Sequence, residues 1–273
     1  DINVVQKYIN RYENEIIVIK YGGNVLIDRN VFNNFISDIN VLNRLGLSVV
    51  VVHGGGPRIK RELDKKKIVS KFINGLRVTD KNIIDTVEEV LIDFNEDIAS
   101  SLKKLGSQAA MFHTKTDNII EVEPEREELG FVGIPNKIND SLIQNALNEN
   151  KIPIIAPLGL GKNEQTYNIN GDTAASAIAK KLKSRRLILM TNVEGVYDDQ
   201  KKLISEIKPF DLENLIKWKV VQGGMIPKIE NCVDAVQNGV RGVVILDGRK
   251  PHSILHEIFS DKGSGTLIRE WKI

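Results

Sequence analysis

Short unbroken runs of apolar residues punctuate the chain, and each ends near a turn-forming stretch. Residues 16–19 run into Tyr21-Gly22-Gly23, 49–52 into His53-Gly54-Gly55-Gly56, and 152–157 into Leu158-Gly159. Residues 187–190 run into Thr191-Asn192, and 243–246 into Asp247-Gly248. Continuous Val, Ile and Leu, rather than apolar–polar alternation, predicts strands buried on both faces. Between the runs, apolar residues recur at helical spacing over 31–45, 83–105, 142–147, 173–182 and 226–236. Gly46, Gly106 and Gly239 stand where helix C-termini need a left-handed residue. Strands alternating with helices predict an α/β fold, a three-layer αβα sandwich around a central, mostly parallel sheet. The charged stretch 121–139, with Pro124, Pro135 and Leu129-Gly130-Phe131-Val132-Gly133, reads as a hairpin or loop projecting from that sheet as a lid. A division into two lobes that share one continuous sheet falls near residue 180, giving 1–180 and 181–273. Residues 4–12 read as a short amphipathic helix.

Composition narrows the function classes. The chain has 273 residues, of which 41% are apolar and 27% charged, as in ordinary globular proteins. Lys and Arg number 38 against 36 Asp and Glu, a net charge of +2 that gives no support to nucleic acid or an anionic membrane as the main partner. One cysteine, Cys232, rules out a disulfide within the chain and fits a reducing, cytoplasmic compartment. Its helical neighbours mark it as a small buried apolar residue. No apolar run approaches the ~18 residues of a membrane span, and 1–15 lacks a signal-peptide core. His53, His113, His252 and His256 do not show zinc-ligand spacing. Neither a Gly-x-Ser-x-Gly elbow nor a His-Arg-Asp kinase signature is present.

Candidate chemistry gathers at the strand ends, where open α/β sheets bind ligands. Lys20-Tyr21-Gly22-Gly23 and His53-Gly54-Gly55-Gly56-Pro57 are glycine turns whose backbone N–H groups can approach anionic oxygens. Pro57 suits the first turn of a helix, which would set the glycines at its positive end. Either turn alone could be a plain tight turn, and neither has Walker A or Rossmann spacing. Gly75-Leu76-Arg77-Val78-Thr79-Asp80 leads into a helix capped by Thr79 or Asp80. Arg77 could pair bidentately with a carboxylate or simply lie on the surface. Tyr167-Asn168-Ile169-Asn170-Gly171-Asp172 leads into another helix, with Asp172 either a cap or a functional carboxylate. In Gly223-Gly224-Met225-Ile226-Pro227-Lys228, the lysine falls in the first turns of a helix, against the dipole, a cost that an anionic ligand would offset.

Together these stretches resemble the amino acid kinase family. The matching segments are IVIKYGGN (17–24), VVVHGGGP (50–57), FINGLRVTD (72–80), LGFVG (129–133), IPIIAPLG (152–159), TYNINGDTAASA (166–177), VEGVYD (193–198), GGMIPKIE (223–230) and ILDGRKPHSILHEIF (245–259). They run nearly end to end and in family order. GLRVTD with YNINGD points to the branch that phosphorylates N-acetyl-L-glutamate in arginine biosynthesis. The resemblance implies transfer of the γ-phosphoryl group of MgATP to the side-chain carboxylate. Lys20 and Lys228 would contact that phosphoryl group, and Asp172 would hold both lysines. Gly22 and Gly23 would approach the ATP phosphates, and Gly55 and Gly56 the reacting carboxylate. Arg77 and Asn168 would bind the far carboxylate. Thr191, Asn192, Gly195, Val196 and Gly224 would belong to the nucleotide site. Mg²⁺ would arrive on ATP with no protein ligand. The 1–180 lobe would carry the acid and the dimer contacts, and the 181–273 lobe the nucleotide. The acceptor carboxylate, of ordinary pKa about 4.3, is already ionised at neutral pH, so no general base is required.

The chain departs from the family pattern at three places. His113-Thr114-Lys115-Thr116-Asp117-Asn118 lacks the glycines that flank the lysine in many members. Asn192 replaces an Asp. Val244 replaces a His of the arginine-inhibited members, although Glu257 and Gly263 of that signature remain. With Tyr8 these two form a candidate L-arginine site, and helix 4–12 is a candidate for joining dimers into a hexamer, a trimer of dimers; the alternative is a plain dimer with that helix packed on its own subunit. A related kinase acting on an aminoadipate derivative would alter the surroundings of Arg77 and Asn168. A non-catalytic regulator would lose Lys20, Asp172 or Lys228, and all three are present.

Overall fold

A computed structural model describes residues 2–22 and 28–270. In chain order the elements begin with α1 (Ile2–Arg11), β1 (Ile16–Tyr21), α2 (Arg29–Arg44), β2 (Ser48–His53), α3 (Gly56–Lys65) and the hairpin β3 (Phe72–Ile73) and β4 (Leu76–Arg77). There follow α4 (Lys81–Lys104), β5 (Ala109–Phe112), β6 (Ile120–Pro124), β7 (Gly133–Ile138), α5 (Asp140–Asn148), β8 (Ile152–Ile155), β9 (Leu158–Leu160) and β10 (Thr166–Asn168). The last are α6 (Gly171–Leu182), β11 (Arg186–Thr191), β12 (Glu206–Ile207), α7 (Leu212–Lys217), α8 (Met225–Gln237), β13 (Val243–Asp247), α9 (Ser253–Ile258) and β14 (Thr266–Ile268).

The five apolar runs become β1, β2, β8, β11 and β13, in one eight-stranded sheet of order β12-β14-β13-β11-β1-β2-β8-β5. All its pairings are parallel except β13 with β14. Side chains alternate across the strands, so each strand feeds two cores. Val18, Val50, Leu189 and Ile245 face the layer of α5, α6 and α8, while Ile19, Val51, Met190 and Leu246 face α2, α9 and the second half of α4. These side chains are at most 3% exposed, and each stabilises the fold by about 1.5–3 kcal/mol. The sheet is therefore a stiff frame for whatever its strand ends carry. It crosses the division expected near residue 180 without a break, because β11 pairs along β1. Gly46, Gly106 and Gly239 are left-handed at helix ends (φ +84°, +92° and +110°). Asp80 caps α4, accepting from the N–H groups of Asn82 (2.9 Å) and Ile83 (3.0 Å).

One expectation is corrected. Segment 121–139 contains an antiparallel pair, β6 with β7, but the pair does not project freely. β6 also aligns with β9, at Glu121 and Leu160, and β9 with β10, in a second, four-stranded sheet β10-β9-β6-β7 whose edge is β7.

Candidate active site

Lys20 is the penultimate residue of β1. Strand alternation puts it on the same face as Val18, toward α6 and α8. Those two helices bring its partners. Asn170 caps α6, its Oδ1 accepting from the N–H groups of Asp172 (3.0 Å) and Thr173 (3.1 Å). Asp172 is thus not the cap, and its carboxylate is free to turn away from its own helix. Lys228 Nζ donates to Asp172 Oδ2 at 2.5 Å. Lys20 Nζ lies 3.0 Å from Oδ1, so each oxygen of the carboxylate faces one ammonium group. Burial alone would raise the Asp172 carboxyl; the charges of Lys20 and Lys228 outweigh it and hold the group well below the usual carboxylate range.

Two glycines frame Lys20. A Cβ at Gly22 would strike its ammonium and lie 2.7 Å from Cε, and one at Gly171 would lie 3.1 Å from Cε. Gly23 lies outside the described residues. The site holds two ammonium groups and one carboxylate, at the N-termini of two helices whose dipoles add positive potential. Such a site favours a polyanion.

Two adjoining cavities meet here, sharing Gly75, Leu76 and Asn170. The smaller, about 200 Å³, is lined by Lys20 and Gly54–Gly56 and also by Arg77 and Asn168. A Cβ at Gly55 would strike Cδ2 of Leu91 in α4, so any side chain there would have to push Leu91 aside. Arg77 is 8% exposed and is held in place by Ser70 Oγ, by the carbonyl of Gly56 (3.3 Å) and by the Phe72 ring, 4.8 Å from its guanidinium carbon. Asn168 reaches the hydroxyl of Thr79 at 3.4 Å. The larger cleft, about 1010 Å³, is lined by Asp172, Lys228, Gly223 and Gly224 beneath Glu125 and Arg126 of the β6–β7 pair.

The other expected residues lie apart from this cluster. The Thr191 hydroxyl bonds the carbonyls of Val193 (2.9 Å) and Leu246 (3.2 Å), and buried Val196 donates its N–H to Thr266 Oγ1 (2.9 Å). Asn192 is exposed, and Gly195 (φ +152°) has no room for a side chain beside Thr266. This turn follows β11, one strand over from β1, and is absent from the lining of the larger cleft. Lys115 pairs with Glu88 (3.5 Å) beyond β5, four strands from β11. Tyr8 packs edge-on against Phe259 (6.5 Å), and Lys7 and Arg11 reach Asp261, so α1 is docked on the connection after α9. Glu257 of α9 accepts from the N–H of Ser264 in that connection (2.5 Å), and Gly263 (φ +68°) has no space for a Cβ beside the Glu257 carboxylate. Val244 is wholly buried in the apolar core. His252 pairs with Asp38 (2.6 Å), not with His256. Among the described residues no three His, Cys, Asp or Glu side chains are grouped to hold a metal ion, and no helix is long and apolar enough to cross a membrane.

Sequence reasoning gave no role to Asn170, Gly171, Ser70 or Phe72. The first two sit beside Asp172, and asparagine before glycine at a helix start was a usable capping signal. Ser70 and Phe72 carried none.

This chain belongs to the amino acid kinase family, whose model matches residues 15–247. Among its relatives is the acetylglutamate kinase of Pelagibacter ubique (strain HTCC1062), 52% identical over 269 residues, covering 98% of this chain and 93% of that protein. The acetylglutamate kinase of Methylobacterium nodulans is 44% identical, covering 96% and 91%. The N-acetylglutamate synthase of Neisseria gonorrhoeae, solved with coenzyme A and N-acetyl-glutamate, superposes with a TM-score of 0.89 at 21% identity. All of this chain aligns to it but spans only 63% of that longer chain, a likeness of fold.

Proposed function

We propose that this chain transfers the γ-phosphoryl group of MgATP to the side-chain carboxylate of N-acetyl-L-glutamate, giving N-acetyl-L-glutamyl 5-phosphate and ADP, a step of arginine biosynthesis in the cytoplasm. The observation that carries this is the convergence of Lys20 and Lys228 on Asp172 where a small cavity adjoins a larger cleft.

The acid occupies the smaller cavity. Arg77 and Asn168 bind its far carboxylate, and the N–H groups of Gly55 and Gly56 receive the reacting one. The triphosphate lies in the larger cleft over Gly224, with the backbone at Gly22 and Gly23 approaching it and the turn of Thr191, Asn192, Gly195 and Val196 flanking the nucleoside. An ionised carboxylate oxygen attacks the γ-phosphorus; the new P–O bond forms as the bond to the β,γ-bridging oxygen breaks, and ADP leaves. Lys20 and Lys228 sit on opposite sides of the transferring group and offset the charge on its oxygens, and Asp172 keeps both lysines in place without moving a proton. Mg²⁺, carried on ATP, would neutralise phosphate charge. The lobe of residues 1–180 holds the acid and the dimer contacts, and that of 181–273 the nucleotide. The same reading expects a homo-oligomer, either a dimer or a trimer of dimers joined through α1, and L-arginine as a feedback ligand near Tyr8, Glu257 and Gly263.

A coupled ADP-release assay tests this with MgATP and N-acetyl-L-glutamate, with and without L-arginine, beside Lys228→Ala. ADP release that needs the acetylated acid and falls about a hundredfold or more in the variant supports the reading. Release with an aminoadipate derivative alone, or no release with any acid despite nucleotide binding, sinks it.

A further inference from the structure

His53 ends β2, and strand alternation turns it away from Lys20, into the core beside α4. The ring is fully buried, 5.0 Å from Phe94 and edge-on to it. Its Nδ1 lies 2.8 Å from the carbonyl oxygen of Gly54, and its Nε2 lies 3.1 Å from the side-chain amide nitrogen of Asn95. A carbonyl can only accept, so Nδ1 carries the proton. Asn95, also fully buried, donates from the same nitrogen to the carbonyl of Ile154 at 3.0 Å, which fixes its orientation and leaves Nε2 as the acceptor. Burial pushes the ring down to about 4, so it is neutral near neutral pH and both bonds are met.

The consequence falls on the next peptide. The carbonyl of Gly54 and the N–H of Gly55 belong to one planar trans unit and point in opposite directions. Holding the carbonyl against the imidazole therefore turns the N–H of Gly55 the other way. Gly55 lines the small cavity with Lys20, and among the described residues its N–H has no protein acceptor. The N–H of Gly54 is fixed as well, bonded to the carbonyl of Tyr21 at 2.7 Å, which ties this turn to the one after β1.

We propose that His53 is a positioning residue: clamped by Asn95 in its Nδ1-protonated form, it holds the Gly54–Gly55 peptide so that the Gly55 N–H is aimed at the anion bound in the small cavity. That this anion is the reacting carboxylate rests on the proposed function; the clamp itself does not. The test compares His53→Asn, which keeps a donor where Nδ1 stands, with His53→Leu, which removes it. With MgATP and N-acetyl-L-glutamate, His53→Leu is expected to lower kcat about tenfold or more while the KM for MgATP changes less than about threefold. His53→Asn should recover most of that loss. Equal losses of kcat in the two variants, tracking their melting temperatures, would overturn the proposal. Imidazole ¹⁵N spectra of the wild-type protein, with the His53 signals assigned by their absence from His53→Asn, supply a readout independent of turnover. A neutral ring protonated on Nδ1 supports the clamp, and an Nε2-protonated or charged ring refutes it. Wild-type protein inactive on N-acetyl-L-glutamate would fail the proposed function, and the ¹⁵N result would still decide the clamp.

Discussion

Replacing Asp172 with Asn keeps the shape of the site and removes the one carboxylate between two ammonium groups. Lys20 and Lys228 are 12% and 21% exposed as side chains, and Asp172 is 19% exposed, so water screens them only in part. Removing one partner of a buried ion pair costs about 3–5 kcal/mol. The open cleft beside Lys228 favours the lower end, about 3 kcal/mol, which for a chain of this size lowers Tm by roughly 6–12 °C. The Asp172 carboxyl is held below its ordinary value in the folded protein. A group depressed on folding contributes fully above its unfolded pKa, about 3.9 for Asp, and that contribution is lost as pH falls through the folded value. Urea denaturation should therefore give a wild-type-minus-Asp172→Asn gap that is flat from about pH 8 to about pH 5 and narrows only below about pH 4. Inorganic phosphate should raise the melting temperature of the variant more than that of wild type, because an anion supplies the missing countercharge. In the ADP-release assay kcat should fall about a hundredfold, since the lysines lose their common anchor. A gap already narrowing between about pH 7 and about pH 5, or no gap at all, would refute the reasoning, because Asp172 would then titrate as an ordinary or raised carboxyl.

Arg77→Lys should raise the KM for N-acetyl-L-glutamate about tenfold or more with a smaller change in kcat, because an ammonium cannot keep the fork that Ser70, the Gly56 carbonyl and Phe72 hold; an unchanged KM would remove Arg77 from acid binding. Gly195→Ala should cost about 2 kcal/mol or more, read as a lower urea midpoint, since a side chain there meets both φ +152° and the Thr266 hydroxyl. Tyr8→Ala should free α1 from Phe259, speeding tryptic cleavage at Lys7 and Arg11 while the melting temperature of the body moves little; unchanged cleavage would mean that α1 is held by other contacts.

The parts of this fold that were legible in the sequence are those decided locally. Unbroken apolar runs marked the central strands because a strand covered on both faces has no polar side to alternate with. Strand β5 was missed because Ala109-Ala110-Met111-Phe112 carries little intrinsic strand preference; it forms because β8 leaves an open edge beside it. The second sheet was missed for a related reason, since Glu121 aligns with Leu160 across the whole of α5 and β8. Such pairings are chosen by tertiary packing, and no window of sequence contains both partners.

The site divides in the same way. Asn170 and Asp172 are both good capping residues, and only the backbone decides between them: Asn170 is extended (φ −57°, ψ 130°) and takes the cap. That choice has consequences for the chemistry. Had Asp172 capped α6, its oxygens would face the helix's own N–H groups, and Lys228 would stand in the first turns of α8 against the dipole with no countercharge. With Asn170 as cap, the Asp172 carboxylate stays at the positive end of α6, where an anion is favoured, and still reaches across to Lys20 and Lys228. One carboxylate then steadies two cations without cancelling them. The remaining positive charge is available to a phosphoryl group, which is why removing Asp172 and adding an anion should act in opposite directions on stability.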